Sequence, residues 1–158
     1  MKIACGFDHA GVPLREPVVV ALTDAGYEVL DVGAYDDYPY AAVAAGRALA
    51  EGAARAVLVC GSGAGVAVAA SKLPGVRAAT VHDAYTAHQS VEHDDLNVLC
   101  LGARVIGAAL AREIVVAFAG AVHSPAERHA RRLSQVAQIE RAGLDALSIT
   151  RSGGEPPR

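Results

Sequence analysis

Along this chain, short β-branched apolar runs alternate with longer alanine-rich stretches. The runs Lys2 to Phe7, Tyr27 to Asp31, Ala56 to Cys60, Val76 to Val81 and Asn97 to Leu101 read as strands. Between them the spacing predicts helices over residues 13–25, 39–52, 64–72, 84–92 and 105–119, with a sixth over 125–142. Five β-α units in succession point to a parallel sheet, since each intervening stretch is long enough for a right-handed crossover. A run as continuously apolar as Ala56 to Cys60 suits a strand covered on both sides. The expected architecture is therefore α/β: a three-layer sandwich of five parallel strands with helices on both faces. Pro13 and Pro17 obscure the start of the first helix, because an interior proline removes a backbone donor. From Gly143 the pattern dissolves into Gly, Pro and charge, which predicts one domain over 1–142 and a tail over 143–158 that is flexible or attached to an interface.

The 158 residues suit one compact domain, and 53% hydrophobic with 20% charged residues is a globular composition. No run of about 18 uncharged apolar residues occurs, and Asp8 and His9 interrupt the N-terminus. Neither a membrane span nor a signal peptide fits, so the expectation is a cytoplasmic protein with no membrane partner. Cys5, Cys60 and Cys100 are an odd count without metal-type spacing, which suits reduced thiols. A net charge of −3 and the absence of Trp argue against a nucleic-acid partner. All but two of the 14 cations are arginine, and Arg128, Arg131, Arg132 and Arg141 crowd one late segment.

In an open parallel sheet, ligands sit beyond the carboxyl ends of the strands. The positions of interest are therefore Asp8 and His9, Gly33 to Tyr40, Cys60 to Gly65, His82 and Asp83, and Gly102 to Arg104. The strongest local signal is Cys60-Gly61-Ser62-Gly63-Ala64-Gly65, a strand running through a glycine-rich turn into a helix. Glycines there let backbone N–H groups converge on an anion or a developing oxyanion. Val66 stands where a dinucleotide fingerprint would have its third glycine, and no Gly-Lys-Ser/Thr follows, so no nucleotide cofactor is implied. Cys60 ends the strand beside that turn, where a thiolate could act as a base, although a small core hydrophobe is the ordinary role of such a cysteine. Asp8-His9 and His93-Asp94-Asp95-Leu96-Asn97 bring imidazole and carboxylate together, a pairing suited to moving protons. His82, His88 and His93 are spaced by six and five residues, a poor pattern for metal ligands, and no metal is expected. Arg128 and Arg132, four apart, share a helix face, where an anion such as phosphate would relieve their repulsion and fit their planar forks.

Taken together, Asp8-His9, Asp37-Tyr38-Pro39, Cys60-Gly61-Ser62-Gly63-x-Gly65, Ser71-Lys72-x-Pro74-Gly75-x-Arg77, His93-x-x-x-Asn97-Val98, Gly102-x-Arg104 and Arg128-His129-x-x-Arg132 resemble the ribose-5-phosphate isomerase B family. That family includes the galactose-6-phosphate isomerase subunits, and the likeness covers residues 1 to about 140. The resemblance implies a metal-free, cofactor-free aldose-ketose isomerase on a Rossmann-like sheet, acting on a phosphorylated sugar. It also implies a homodimer or homotetramer whose active site is shared between subunits. By the same resemblance Cys60 would be the base that moves a proton between C1 and C2. Gly61, Gly63, Ala64 and Gly65 would hold the enediolate oxygen, with Ser62 and Asn97 nearby. His93, helped by Asp8, would open the sugar ring, and His9, Arg104, Arg128 and Arg132 would bind phosphate. Tyr38 and Asp94 would border the sugar. The chain departs from the family in a shorter Asp31–Asp37 loop, in Asp94 where an asparagine is usual, and in Ala41 where an aromatic residue often follows Tyr40.

Three functions are thus compatible with the residues. The first is interconversion of ribose 5-phosphate and ribulose 5-phosphate. The second is the same reaction on a tetrulose 4-phosphate or a six-carbon aldose phosphate. The third is a non-catalytic module that binds a phosphosugar or nucleotide, which would need the glycine turn and the arginines but neither Cys60 nor His93. Hydride transfer is disfavoured by the glycine spacing.

Overall fold

The computed structural model describes residues 1–148. They fall into two compact units, Met1–His123 and the segment from Ser124 onward. The first contains five strands, β1 Lys2–Asp8, β2 Glu28–Tyr35, β3 Arg55–Cys60, β4 Ala78–Thr80 and β5 Val98–Gly102. All pair in parallel, in the order β2-β1-β3-β5-β4. The helices of this unit are α1 Arg15–Asp24, α2 Tyr38–Ala50, α3 Ala64–Ala70, α4 Ala84–Asp94 and α5 Ala108–Gly120. The result is the expected Rossmann-like three-layer α/β fold.

The two faces of the sheet are built differently. On one, α1, α4 and α5 bury large side chains, among them Leu22, Val91, Ile114 and Phe118, against Ile3, Phe7 and Leu99. On the other, α2 presents Ala41, Ala42, Ala45 and Ala48, and α3 presents Val66 and Ala70, against Leu58, Val98 and Cys100. Close approach is enforced there: a Cβ on Gly46 of α2 would stand 2.6 Å from the Leu73 side chain. Arg55, at the start of β3, ties down the end of α5. Its guanidinium donates to the carbonyls of Phe118, Ala119 and Ala121 at 2.6–2.9 Å and lies over the Phe118 ring. Burial lowers its pKa, against an opposing pull from Asp95.

Three elements differ in extent from the sequence reading. The tract Asp31-Val32-Gly33, which ends the predicted strand, is a bulge inside β2. Cys5 pairs with Asp31 and Gly6 with Gly33, leaving Val32 as the extra residue, and Gly33 takes φ 106° with its N–H on Asp31 Oδ1. β2 therefore continues to Tyr35. β4 is shorter than Val76 to Val81, because Val76 closes a turn on Leu73 and the Arg77 amide is taken by the Asn97 side chain. The proline ambiguity resolves into a 3₁₀ turn over Val12–Leu14, after which α1 starts at Arg15. Pro17 then sits in the first helical turn, where its missing N–H costs nothing.

The second unit contains α6, Glu127–Ala142, and a 3₁₀ turn over Gly143–Asp145. Residues 149–158, the greater part of the expected tail, lie outside the described residues.

Candidate active site

At the carboxyl end of the sheet, β1 and β3 deliver their last side chains into a cleft of about 310 Å³. β3 supplies Cys60, and the turn after it supplies Gly61, Ser62 and Gly65. Asp8 ends β1, His9 and Ala10 follow it, Tyr38 opens α2, and Arg104 and Val105 follow β5. Thus Asp8, His9, Tyr38, Cys60, Gly61, Ser62, Gly65 and Arg104, widely separated in sequence, share one opening.

Cys60 is 3% exposed, yet it lines the cleft. Its sulfur accepts a hydrogen bond from the Gly63 N–H at 3.1 Å. The turn can aim that donor because Gly63 adopts φ 81°, a conformation open to glycine at little cost. A Cβ on Gly63 would also stand 2.8 Å from Thr80 and 3.0 Å from the Leu101 backbone. The carbonyl of Gly63 is held by Thr80 Oγ1 at 2.9 Å, and Ser62 Oγ accepts from the Ala64 N–H at 3.3 Å. The first turn of α3 leaves N–H groups without helical partners beside the cleft. Gly65 is required for another reason: a Cβ there would stand 3.0 Å from the Tyr38 ring. The other two cysteines are of a different kind. Burial, with a contribution from Asp31, pushes the Cys5 thiol up to about 12, and burial next to Cys60 also pushes Cys100 up. Both are core residues with no access to the cleft.

Asp8 is 4% exposed, and its Oδ1 accepts from the buried Gly11 N–H at 2.8 Å. Gly11 can approach so closely only because it lacks a side chain, since a Cβ would fall 2.1 Å from the Val59 carbonyl oxygen. His9 Nδ1 lies 2.7 Å from the Asp36 carbonyl, so that nitrogen carries a proton and Nε2 is left to a ligand. Arg104 is exposed beside Gly61 and forms no ion pair with any described residue, which leaves its guanidinium to an anion.

Other sequence candidates are not in this cleft. His93 and Asp94 end α4, which runs antiparallel to the strands and delivers them to the amino end of the sheet. Asn97 precedes β5 there. Val98 pairs with Ala56, four residues before Cys60, which places Asn97 more than about 13 Å from the cleft at 3.3 Å per residue. Its side chain is engaged at both ends, donating to the Gly75 carbonyl at 2.9 Å and accepting from the Arg77 N–H at 2.8 Å. Arg77 in turn grips Asp95, which ends α4 at φ 50°, through its carbonyl and its carboxylate at 2.6 Å each. A second cavity of about 500 Å³ borders this network, lined by Leu73, Gly75, Val76 and Asn97. Arg128 and Arg132 lie in the second unit on one exposed face of α6, Arg128 Nε donating to His129 Nε2 at 3.0 Å. Among the described residues no group of three or more His, Cys, Asp and Glu could hold a metal ion. Nor is any described helix long and apolar enough to cross a membrane.

Thr80, which the sequence reading did not single out, supports the site, as do His82 and Gly102, noted there as positions just beyond strands. A Cβ on Gly102 would stand 2.6–2.9 Å from three backbone atoms of Ser62, and the Gly102 N–H donates to His82 Nε2 at 2.9 Å. The signal in the sequence was position alone, a histidine and a glycine next to strand ends.

Comparison with known proteins identifies the family. The chain is 40% identical over 144 residues to ribose-5-phosphate isomerase B of Escherichia coli K12, covering 88% of this chain and 96% of that protein. It is likewise 40% identical over 150 residues to D-erythrulose-4-phosphate isomerase 2 of Mycolicibacterium smegmatis, covering 90% and 99%. The solved structure of type B ribose 5-phosphate isomerase from Trypanosoma cruzi superposes with a TM-score of 0.85 at 36% identity, covering 89% of this chain and 96% of that one. The family model described as Ribose/Galactose Isomerase matches residues 3–136. This chain belongs to the ribose/galactose isomerase family.

Proposed function

We propose that this protein interconverts ribose 5-phosphate and ribulose 5-phosphate by proton transfer, with Cys60 as the base. The observation that carries the reading is a sulfur at a cleft wall with a backbone N–H directed at it, in the glycine turn that leads into α3. A hydrogen next to a sugar carbonyl is very weakly acidic, so the base works only if the enediolate oxygen meets preorganised donors. One such donor contributes about 3–4 kcal/mol in known acyl-transfer sites. In the forward direction, the Cys60 thiolate takes the proton from C2 of the open aldose. The electron pair forms the C1–C2 double bond, and the carbonyl oxygen becomes an oxyanion held by the amides of Gly61 to Gly65. The thiol then returns the proton to C1, while a proton passes from O2 to O1. Ser62 stands beside this path.

The phosphate end falls to His9, Arg104, Arg128 and Arg132. His93 opens the ring with Asp8, and Asp94 and Tyr38 border the sugar. One chain holds His93, Asp94 and Asn97 at the sheet end away from Cys60, so this reading requires a second subunit to bring them to the cleft. The active site is then shared in a homodimer or a larger even assembly.

A second substrate reading rests on two observations. The D-erythrulose-4-phosphate isomerase is as similar to this chain as the ribose 5-phosphate isomerase is. Only Asp36 and Asp37 separate β2 from α2 at the edge of the cleft, which shortens the wall facing the sugar. Turnover and solvent-deuterium incorporation across four-, five- and six-carbon aldose and ketose phosphates decide between them. The five-carbon pair is expected to react fastest, and a four-carbon pair faster by tenfold or more replaces the first substrate with the second. Cys60→Ala is expected to lower kcat by roughly 10²–10⁴-fold with ligand affinity largely kept. Unchanged turnover in that variant removes Cys60 as the base.

A further inference from the structure

β4 stops at Thr80, paired with Cys100, and the Val81 N–H still reaches the Cys100 carbonyl. Two residues further along β5, the Gly102 N–H would have no partner from a strand that has ended. The His82 ring takes that place, accepting from Gly102 through Nε2 at 2.9 Å. Because the backbone N–H is the donor, Nε2 carries no proton. On its other side the same stretch is stitched to the glycine turn: the Ala103 N–H donates to the Cys60 carbonyl at 2.9 Å and the Arg104 N–H to the Gly61 carbonyl at 3.0 Å. Gly102 itself lies against Ser62 with no room for a methyl group. Thr80, two residues before His82, holds the Gly63 carbonyl.

We infer that His82 is a positioning residue for the isomerase reaction: its imidazole secures Gly102–Arg104 and thereby sets the placement of the glycine turn and of the Arg104 guanidinium. His82 does not line the cleft, so it acts through Gly102 rather than on the substrate. The inference rests on the isomerase reading above. Loss of the acceptor leaves a part-buried backbone donor unsatisfied and frees the stretch to shift. A displacement of about 1 Å at a reacting centre can cost on the order of 100-fold in rate.

The test compares His82→Phe, which keeps a ring and removes the acceptor, with His82→Gln, whose amide oxygen can replace Nε2. His82→Phe is expected to lower kcat/KM by roughly 10–100-fold, while His82→Gln recovers activity to within about fivefold of the parent. His82→Phe within twofold of the parent overturns the inference, as does His82→Gln impaired to the same degree as His82→Phe. Solution NMR of the unmutated protein gives a reading that does not depend on the folding of any variant. The Gly102 amide should exchange slowly and the His82 nitrogen shifts should report the neutral Nδ1–H form; a fast-exchanging Gly102 amide overturns the inference. If the unmutated protein turns over none of the four-, five- or six-carbon sugar phosphates, the isomerase reading fails, and the NMR result still reports on the His82 contact separately.

Discussion

Gly102→Ala adds one methyl group to the contact between the end of β5 and the glycine turn. The methyl carbon would lie 2.6 Å from the Ser62 carbonyl carbon, 2.7 Å from its oxygen and 2.9 Å from its Cα. All three are backbone atoms, so no side chain can rotate away. To reach ordinary contact near 3.4 Å the two segments must part by up to about 0.8 Å. Gly102 is not among the glycines with positive φ, so the perturbation is steric rather than conformational. Overpacking of this kind typically costs 1–3 kcal/mol of stability. The same displacement moves Ser62 and the turn donors relative to the Cys60 sulfur, and on the scale of roughly 100-fold per ångström kcat should fall about 10–100-fold. The assay is steady-state isomerisation of ribose 5-phosphate with a urea melt on the same preparation. Gly107→Ala, where the methyl group meets nothing within 4 Å, is the control and should turn over normally. A Gly102→Ala protein with parental kcat refutes the account of how the turn is held.

Three further outcomes are expected. Arg55→Met removes the donor to three carbonyls at the end of α5 and should destabilise the first unit by about 2–4 kcal/mol in a urea melt, whereas a loss below about 1 kcal/mol would mean water satisfies those groups. Because the Cys5 thiol is pushed up to about 12 in the folded protein, against 9.0 when unperturbed, the unfolded chain ionises first. Stability conferred by Cys5 is therefore complete below pH 9 and lost progressively towards pH 12. The stability difference between the parent and Cys5→Ala should shrink by about 1.4 kcal/mol per pH unit in that window, and a pH-independent difference contradicts the buried thiol. Under native conditions a small alkylating reagent should modify Cys60 and spare Cys5 and Cys100, and a sugar phosphate should slow it. Equal modification of all three, located by mass spectrometry, would be incompatible with the cleft.

The sheet was legible because its strands are short apolar runs with long amphipathic crossovers, a pattern with few alternative solutions. The glycine turn was legible too, since glycines at positions 61, 63 and 65 after a buried strand have little other use. Where the reading fell short, the cause was tertiary. Asp31-Val32-Gly33 looks like a turn but is a bulge, because Asp31 satisfies the Gly33 amide and β1 continues on the other side. Within its own chain the Asn97 amide bonds the Gly75 carbonyl and the Arg77 N–H, so its proposed place beside a sugar depends on a second subunit that the sequence does not display. His93 and Cys60 belong to opposite ends of the sheet, a consequence of a helix running antiparallel to its strands that motif order does not display. His82 was marked by its place after a strand, but its contact with Gly102 depends on where β4 ends.

The alanine lining under α2 divides the fold into a thick half and a thin half, and Cys60 belongs to the thin one. Over the bulky half, truncating a Phe or Leu leaves a void that neighbours can partly fill. Over the alanine half α2 itself offers almost nothing to truncate, and any enlargement of its lining lifts the helix that carries Tyr38 away from the turn it touches. Drift in this protein should therefore be asymmetric, tolerating shrinkage under α1 and α5 while resisting growth beneath α2, even at positions that never meet the substrate.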